Sequence, residues 1–348
     1  MTKTKFEKIR NWEYWPSSMF YVPNLPYAFY LAIRAKHPAF FSAANPAIKS
    51  SGNGTESKFH TIQLVPEKYR PKSILVKPNT DFNIVLKKLD SKKITFPLIA
   101  KPDIGFRGLL VEKINTKSDL KQYLINYPID IIIQEFLTHD NECGVFYHRN
   151  PNNNKGYISS ITLKKFLTVT GDGNSSLREL ILNDERATIY IDLLEKIHSC
   201  KLDNIPESEK KIKLTVIGNH SKGTQFINGN HLISRKLEET FDSLSKSING
   251  WYYGRVDLKY NDFKNLENGS DFKILEINGI IAEPTHIYDS KKFSYFQALK
   301  AIRTHWKSLF QIAVENHKNN QIPYKSTRKF ILEMFELKNY ISSIKKLQ

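Results

Sequence analysis

Two polar triplets constrain this chain more than any other feature. Arg255-Val256-Asp257 and Glu276-Ile277-Asn278 each lie in a short apolar stretch. In a β-strand, residues i and i+2 point to the same face. Arg255 therefore shares a face with Asp257, and Glu276 shares one with Asn278. The segment between them, NDFKNLENGSD, is rich in Asn, Asp and Gly and reads as a hairpin loop. A register symmetric about that loop sets Asp257 opposite Glu276 and Arg255 opposite Asn278. Two carboxylates, an amide oxygen and a guanidinium then occupy one patch of sheet. Such oxygens suit Mg²⁺, which keeps waters and binds through one or two carboxylates plus substrate phosphates. An arginine beside them is placed to grip a phosphate bidentately. The competing reading is a salt-bridge ladder across a surface hairpin.

The charge balance narrows the partner class. Lys and Arg number 52 against 35 Asp and Glu, a net charge of +17. Nucleic acid, an anionic small molecule such as ATP, and anionic lipid all fit that sign. No RNA-binding signature, zinc finger or helix-turn-helix pattern is present, which counts against nucleic acid. The C-terminal stretch TRKFILEMFELKNYISSIKKLQ has apolar residues at helical spacing with lysines between them. That pattern suits either a core-packing helix with a solvated face or peripheral contact with a membrane. No apolar run is long enough to span a bilayer, and the N-terminus shows no apolar signal core. The two cysteines, Cys143 and Cys200, have no metal-like spacing, so a reducing, cytoplasmic setting is expected.

The organisation reads in three parts: an aromatic, proline-studded region at 1–73, a main domain at 74–315, and a basic amphipathic helix at 316–348. LPYAFYLAIRAK predicts a helix that starts at Pro26 and stops before Pro38. Asp81 predicts an N-cap for FNIVLKKL. Further helices are expected from Ser118, from Ser175 or Ser176, and over SYFQALKAIRTHWKSLFQIAVENH. ITFPLIAKPDIGFRGLLVEKI reads as strand, loop, strand. IDIIIQEFL, NECGVFYH, KGYISSITLKKFLTVT and KIKLTVIGNH read as further strands. Helices and hairpins alternate irregularly, so the fold class expected is α+β with mostly antiparallel sheets.

Other segments supply candidate site residues. Lys101 ends an apolar strand, where its ammonium needs an anion or must snorkel. The loop after it carries Asp103, Gly105, Arg107 and Gly108, and its glycines allow close backbone approach to a phosphate. It is not a P-loop. Gln134, Glu135, Phe136 and Leu137 leave the core at the end of an apolar strand, in a position to read adenine, with Glu142 next to accept ribose hydroxyls. Lys164 and Lys165 are adjacent, so alternation sends at most one of them into a site. Gly171-Asp172-Gly173 reads as a turn. Asn219 and His220 sit in a polar loop that either lines a site or lies on the surface.

Taken in order, IAKPDIGFRG, IIQEFL…NE, TVTGDGNSSLRELI, NHSKGT, YYGRVDL and KILEINGIIAEPTH resemble the ATP-grasp superfamily of carboxylate–amine ligases. D-alanine–D-alanine ligases and the ATP-binding domain of cyanophycin synthetases are members that the chain resembles. The resemblance covers about residues 95–290 and implies an ATP-grasp fold, in which two α+β subdomains clasp ATP. It implies phosphate contacts for Lys101 and for Lys164 or Lys165, and adenine contacts for Gln134 to Leu137. It makes Glu142 the ribose carboxylate, and Asp257, Glu276 and Asn278 the ligands of two Mg²⁺ ions, replaceable by Mn²⁺. Arg255 falls on the transferred phosphate or the tetrahedral intermediate. The chemistry implied is ADP-forming ligation of a small-molecule acid to an amine through an acyl phosphate, by an enzyme whose relatives are often dimers. Glu283, His286 and Tyr288, just past the metal motif, are candidate substrate contacts, as are Asn219 and His220; Arg34, Asn45 and Glu56 are further candidates. The chain departs from the family in its short N-terminal region and in Leu109-Leu110 after Gly108. A kinase reaction on a hydroxyl, or a non-enzymatic basic scaffold, are the alternatives.

Overall fold

Every strand of the protein pairs antiparallel in the computed structural model, which describes residues 10–105 and 108–347. The α+β class expected from the sequence is the one observed. The first sheet holds β1 (Ser73–Val76), β2 (Leu98–Pro102), β3 (Glu112–Ile114) and β4 (Ile131–Glu135), in the order β1-β4-β2-β3. Helices Phe82–Ser91 and Lys117–Asn126 cover one face, burying Val85, Leu89, Leu120 and Tyr123 against Leu98 and Ile133. The Asp81 carboxylate accepts from the Asn83 and Ile84 amides, as its cap position predicts. The second helix starts one residue earlier than expected. Thr116 is its true N-cap, closed into a capping box by Asp119.

The second sheet is larger. Its strands are β5 (Asn141–His148), β6 (Tyr157–Lys165), β9 (Gln225–Asn228), β10 (Tyr253–Tyr260) and β11 (Phe272–Asn278), ordered β11-β10-β5-β6-β9. Between β6 and β9 runs a separate ribbon of β7 (Thr168–Thr170) and β8 (Lys211–Lys213), packed under helices Leu177–Asn183 and Ile191–His198. Period-2 alternation divides the large sheet. Cys143, Val145, Tyr147, Val256 and Leu258 face a core closed by Phe241, Leu244 and Trp251. The opposite face is polar at one end. Toward the other end, Phe146 and Tyr253 pack against Leu309 and Ile312 of the long helix Tyr295–Asn319 and against Leu31 and Phe40 of the N-terminal region.

Two strands end sooner than the sequence suggests. Phe166 and Leu167 are both buried, as are Leu214 and Thr215. β6 stops at Lys165 and β8 at Lys213, and Leu167 and Leu214 pack into the core under the ribbon's helices. The loop between β10 and β11 also folds a short helix, Phe263–Glu267, capped by Asp262. Among the described residues, no helix is long and apolar enough to cross a membrane.

The C-terminal helix Thr327–Lys345 turns Met334, Leu337 and Ile341 toward the space between the sheets. Its Glu333 accepts hydrogen bonds from Ser50 (2.9 Å) and Asn53 (3.1 Å) and pairs with Lys325. Ile331, Leu332 and Phe335 on the same helix remain exposed.

Candidate active site

A cleft of about 1170 Å³ separates the two sheets and is lined from both. Its floor is the polar end of the large sheet. The pairing of β10 with β11 sets Arg255 opposite Asn278 and Asp257 opposite Glu276, the register read from the triplets. A bulge follows Asp257. The Arg255 guanidinium donates to both Asp257 oxygens, at 3.0 and 2.9 Å, and to the Glu283 carbonyl at 2.8 Å. The Asn278 amide donates to Asp257 at 3.0 Å. Lys164, on β6, lies 2.8 Å from Glu142 and 3.3 Å from Asp257.

These groups hold one another's charge. Burial raises the Asp257 carboxyl, but Arg255 and Lys164 outweigh it and keep the group well below the usual carboxylate range. Burial likewise opposes the Lys164 ammonium, and Asp257 and Glu142 raise it above the ordinary lysine value. Gly144, the partner of Asp257 on β5, makes room for the pair. A Cβ there would lie 2.9 Å from both Arg255 Cδ and Asp257 Oδ1.

The small sheet forms the opposite wall. Lys101 Nζ reaches Gln134 Oε1 at 3.3 Å. Gln134 is buried, and its Nε2 has no partner. Glu135, Phe136 and Leu137 continue along the cleft from the end of β4, with Lys113 over the Phe136 ring at 4.3 Å. Burial pushes the Lys101 ammonium down to about 8, helped by Lys58. Gly105 and Gly108 line the same wall, Gly108 with a φ of +73° that favours glycine. Arg107 lies outside the described residues.

Lys58 was not singled out from the sequence. It opens helix Lys58–Gln63, capped by Ser57, and its ammonium pairs with Glu276. The loop before it is fixed to the end of β11. Ile280 N donates to Ser51 O at 3.0 Å, and a Cβ on Gly52 would fall 2.7 Å from Gly279 Cα. This glycine–glycine crossing sets Lys58 beside Glu276. The available signal was the close pair Gly52 and Gly54 just ahead of a helix-opening lysine.

Several sequence expectations are corrected. Lys165 is exposed and absent from the cleft, because alternation on β6 turns Lys164 inward and Lys165 outward. His286 is also not a cleft residue. It is buried against Phe293 with its ring nitrogen Nδ1 unpartnered, and burial pushes it down to about 4. Arg34 stacks near Tyr30 and Phe310, away from the cleft. Asn45 bonds the Tyr252, Tyr253 and Ser51 backbones and serves the fold. Glu56, Glu142, Asn219, His220, Glu283 and Tyr288 do line the cleft. The lysine pair gives a direct test. Lys165→Ala is expected to leave the thermal midpoint and nucleotide binding unchanged. Lys164→Ala strips buried Glu142 of its partner and takes one of two cations from Asp257, and is expected to cost about 3–5 kcal/mol in a denaturation measurement.

The sequence matches no protein-family model and no curated protein. Solved structures similar to the chain include a D-alanine–D-alanine ligase from Bacillus anthracis, at 14% identity and TM-score 0.42 over 75% of this chain and 68% of that one. VanG D-Ala:D-Ser ligase from Enterococcus faecalis is similar at 13% identity and TM-score 0.43, over 76% and 64%. A bifunctional glutathione synthetase from Pasteurella multocida is similar at 17% identity and TM-score 0.38, over 72% of this chain and 36% of that one. The chain thus spans about a third of the synthetase's length and about two thirds of each ligase's.

The cleft fits a nucleotide with a divalent cation. An orphaned amide at Gln134 and a half-buried Lys101, its ammonium pushed down by desolvation, await a polar partner on one wall. On the other, Asp257 and Glu276 already hold cationic groups, the charge type a metal ion brings. Among the described residues, no three His, Cys, Asp or Glu side chains gather as a metal site. The candidate donor set is therefore two carboxylates and the Asn278 amide, a number that suits an ion keeping waters and phosphate oxygens.

Proposed function

We propose that the chain is an ATP-grasp carboxylate–amine ligase, joining a small-molecule acid to an amine with release of ADP and phosphate. The observation that supports this most is the register of β10 on β11, which opposes Asp257 to Glu276 and Arg255 to Asn278 within a cleft whose other wall carries Lys101. A surface salt-bridge ladder would leave these groups exposed, whereas Asp257, Glu142 and Lys164 are all buried deeply.

On this reading Gln134 to Leu137 receive the adenine and Glu142 lies toward the ribose. Lys101 and the loop with Gly105 and Gly108 hold the phosphates. Asp257, Glu276 and Asn278 hold two Mg²⁺ ions, for which Mn²⁺ substitutes; the bound metal neutralises charge that builds on phosphate oxygens during transfer. Arg255, fixed by both Asp257 oxygens, keeps one guanidinium edge on the Glu283 carbonyl and presents positive potential to an anionic acceptor. Fixed charges in a cleft shielded from water stabilise transferring phosphate at little reorganisation cost. The Lys58 and Lys164 ammonium groups keep the acidic floor neutral until the nucleotide arrives. Product analysis tests the reading: an amide with ADP and phosphate supports ligation, whereas a stable phosphoester would replace it with kinase chemistry.

Lys101 gives the proposal a pH signature. With its value near 8, the ammonium is present below that pH and lost above it. ATP affinity is therefore expected to weaken as pH rises through 8, measured by isothermal titration on the free enzyme. Lys101→Arg, whose guanidinium stays charged, is expected to flatten that dependence. An unchanged slope in the arginine variant would remove Lys101 from the phosphate site.

A further inference from the structure

The acids lining the cleft are nearly all matched. Glu142 faces Lys164, Asp257 faces Arg255, Glu276 faces Lys58, and Glu13 pairs with Arg186 and lies 3.0 Å from His220. Glu56 and Glu135 accept backbone N–H groups of Gly54 and Lys72. Glu283 differs in its surroundings. Like Glu56 and Glu135 it forms no ion pair among the described residues, and its carboxylate accepts one hydrogen bond, from the Tyr288 hydroxyl at 3.3 Å; the Arg255 guanidinium feels its charge but bonds its carbonyl, not its carboxylate. Its backbone carbonyl is pinned by Arg255, which places it beside the reacting end of the cleft.

Aromatic rings surround that carboxylate. Tyr288 stacks with His220 at 5.7 Å, and His220 lies 6.1 Å from Tyr14. Tyr21 feels the Glu283 charge and has its ring 6.0 Å from Trp306. All of these residues line the cleft. Tyr14 and Tyr21 belong to the aromatic N-terminal region, whose role the sequence left open.

We propose that this end of the cleft is the subsite for the amine substrate, and that the amine carries an aromatic or other flat apolar group. A carboxylate with no cation in direct contact attracts an ammonium. Ring faces attract the same charge and cover the attached apolar group. The N-terminal region thus acts as the wall that selects the acceptor, contributing Tyr14 and Tyr21. This assignment rests on the ligase reading for the word substrate; the binding site itself does not depend on it.

The test uses the full chain and three probes: phenethylamine, 2-phenylethanol and ethylamine, with affinities from ligand-observed NMR. Phenethylamine is expected to bind at least about tenfold tighter than either control, since a charge-assisted hydrogen bond and the ring contacts each add of that order. Glu283→Gln keeps a partner for Tyr288 and is expected to cancel the preference for amine over alcohol while leaving the alcohol's affinity unchanged. Glu283→Asp is expected to retain the preference in part. Tyr21→Leu is expected to narrow the gap between phenethylamine and ethylamine. Equal affinities for the amine and its alcohol, or a preference that survives Glu283→Gln, would overturn the proposal. Amine binding through Glu283 with no ADP formed would keep the subsite and sink the ligase. Acid-dependent ADP release without amine selectivity would do the reverse.

Discussion

Replacing Asp257 by Asn, or Glu276 by Gln, is expected to lower ATP turnover by roughly three powers of ten. A metal ion stabilises developing phosphate charge by several kcal/mol, and each 1.36 kcal/mol is tenfold in rate. The two variants should differ in stability. Asp257 is deeply buried and answers both Arg255 and Lys164, so Asp257→Asn leaves two buried cations undercompensated. Glu276 is more open and answers Lys58. Glu276→Gln is therefore the cleaner probe: an inactive protein with a near-normal melting point. Loss of activity that followed the melting temperature in both variants would assign the pair to the fold. Full turnover in both would sink the metal assignment.

Lys58→Met is expected to move two quantities in opposite directions. Its ammonium sits on Glu276 and competes with any divalent cation for that carboxylate. Burial is the main force on its own proton, pulling it below the ordinary lysine value, with Glu56 and Asp257 opposing. Without Lys58, Glu276 is free, and Mn²⁺ affinity in the absence of nucleotide should tighten. Turnover should nevertheless fall by about 100-fold, the scale of losing one fixed positive group near a transferring phosphate. A merely structural lysine would weaken both together. Titration of Mn²⁺ by electron paramagnetic resonance and ADP release at saturating metal give the two readings. Weaker metal binding in Lys58→Met would contradict the competing role.

How much was legible in the sequence follows from locality. The hairpin triplets were readable because a strand has period 2 and an Asn/Gly-rich loop bounds it, so opposition of Asp257 and Glu276 needs no long-range information. The cap at Asp81 was readable for the same reason, since it pairs with residues within a turn, and so was a helix start at Ser175 or Ser176, of which Ser176 is the cap. Alternation also implied that one of Lys164 and Lys165 would be excluded, though not which one. Burial of Leu163 and Phe166 near the sheet decided that only in three dimensions. Lys58 was marked only by the Gly52 and Gly54 pair before it; its partner was not readable, because Glu276 lies 218 positions away across a glycine crossing. His286 misled for a related reason. Its neighbours Glu283 and Tyr288 do face the cleft, but the helical turn Thr285–Tyr288 rotates the intervening side chain into the core. The strand β9 and the helix Arg235–Ser247, whose packing supports the large sheet from its edge and from behind, drew no reading from the sequence.

The most direct test of the account is ADP release from Mg-ATP with pooled amino and hydroxy acids, with hydroxylamine present to trap an activated carboxyl group. The account predicts acid-dependent ADP release with matching hydroxamate, both lost in Glu276→Gln. ADP without hydroxamate would contradict ligation. The absence of both turnover and ATP binding would contradict the nucleotide cleft itself.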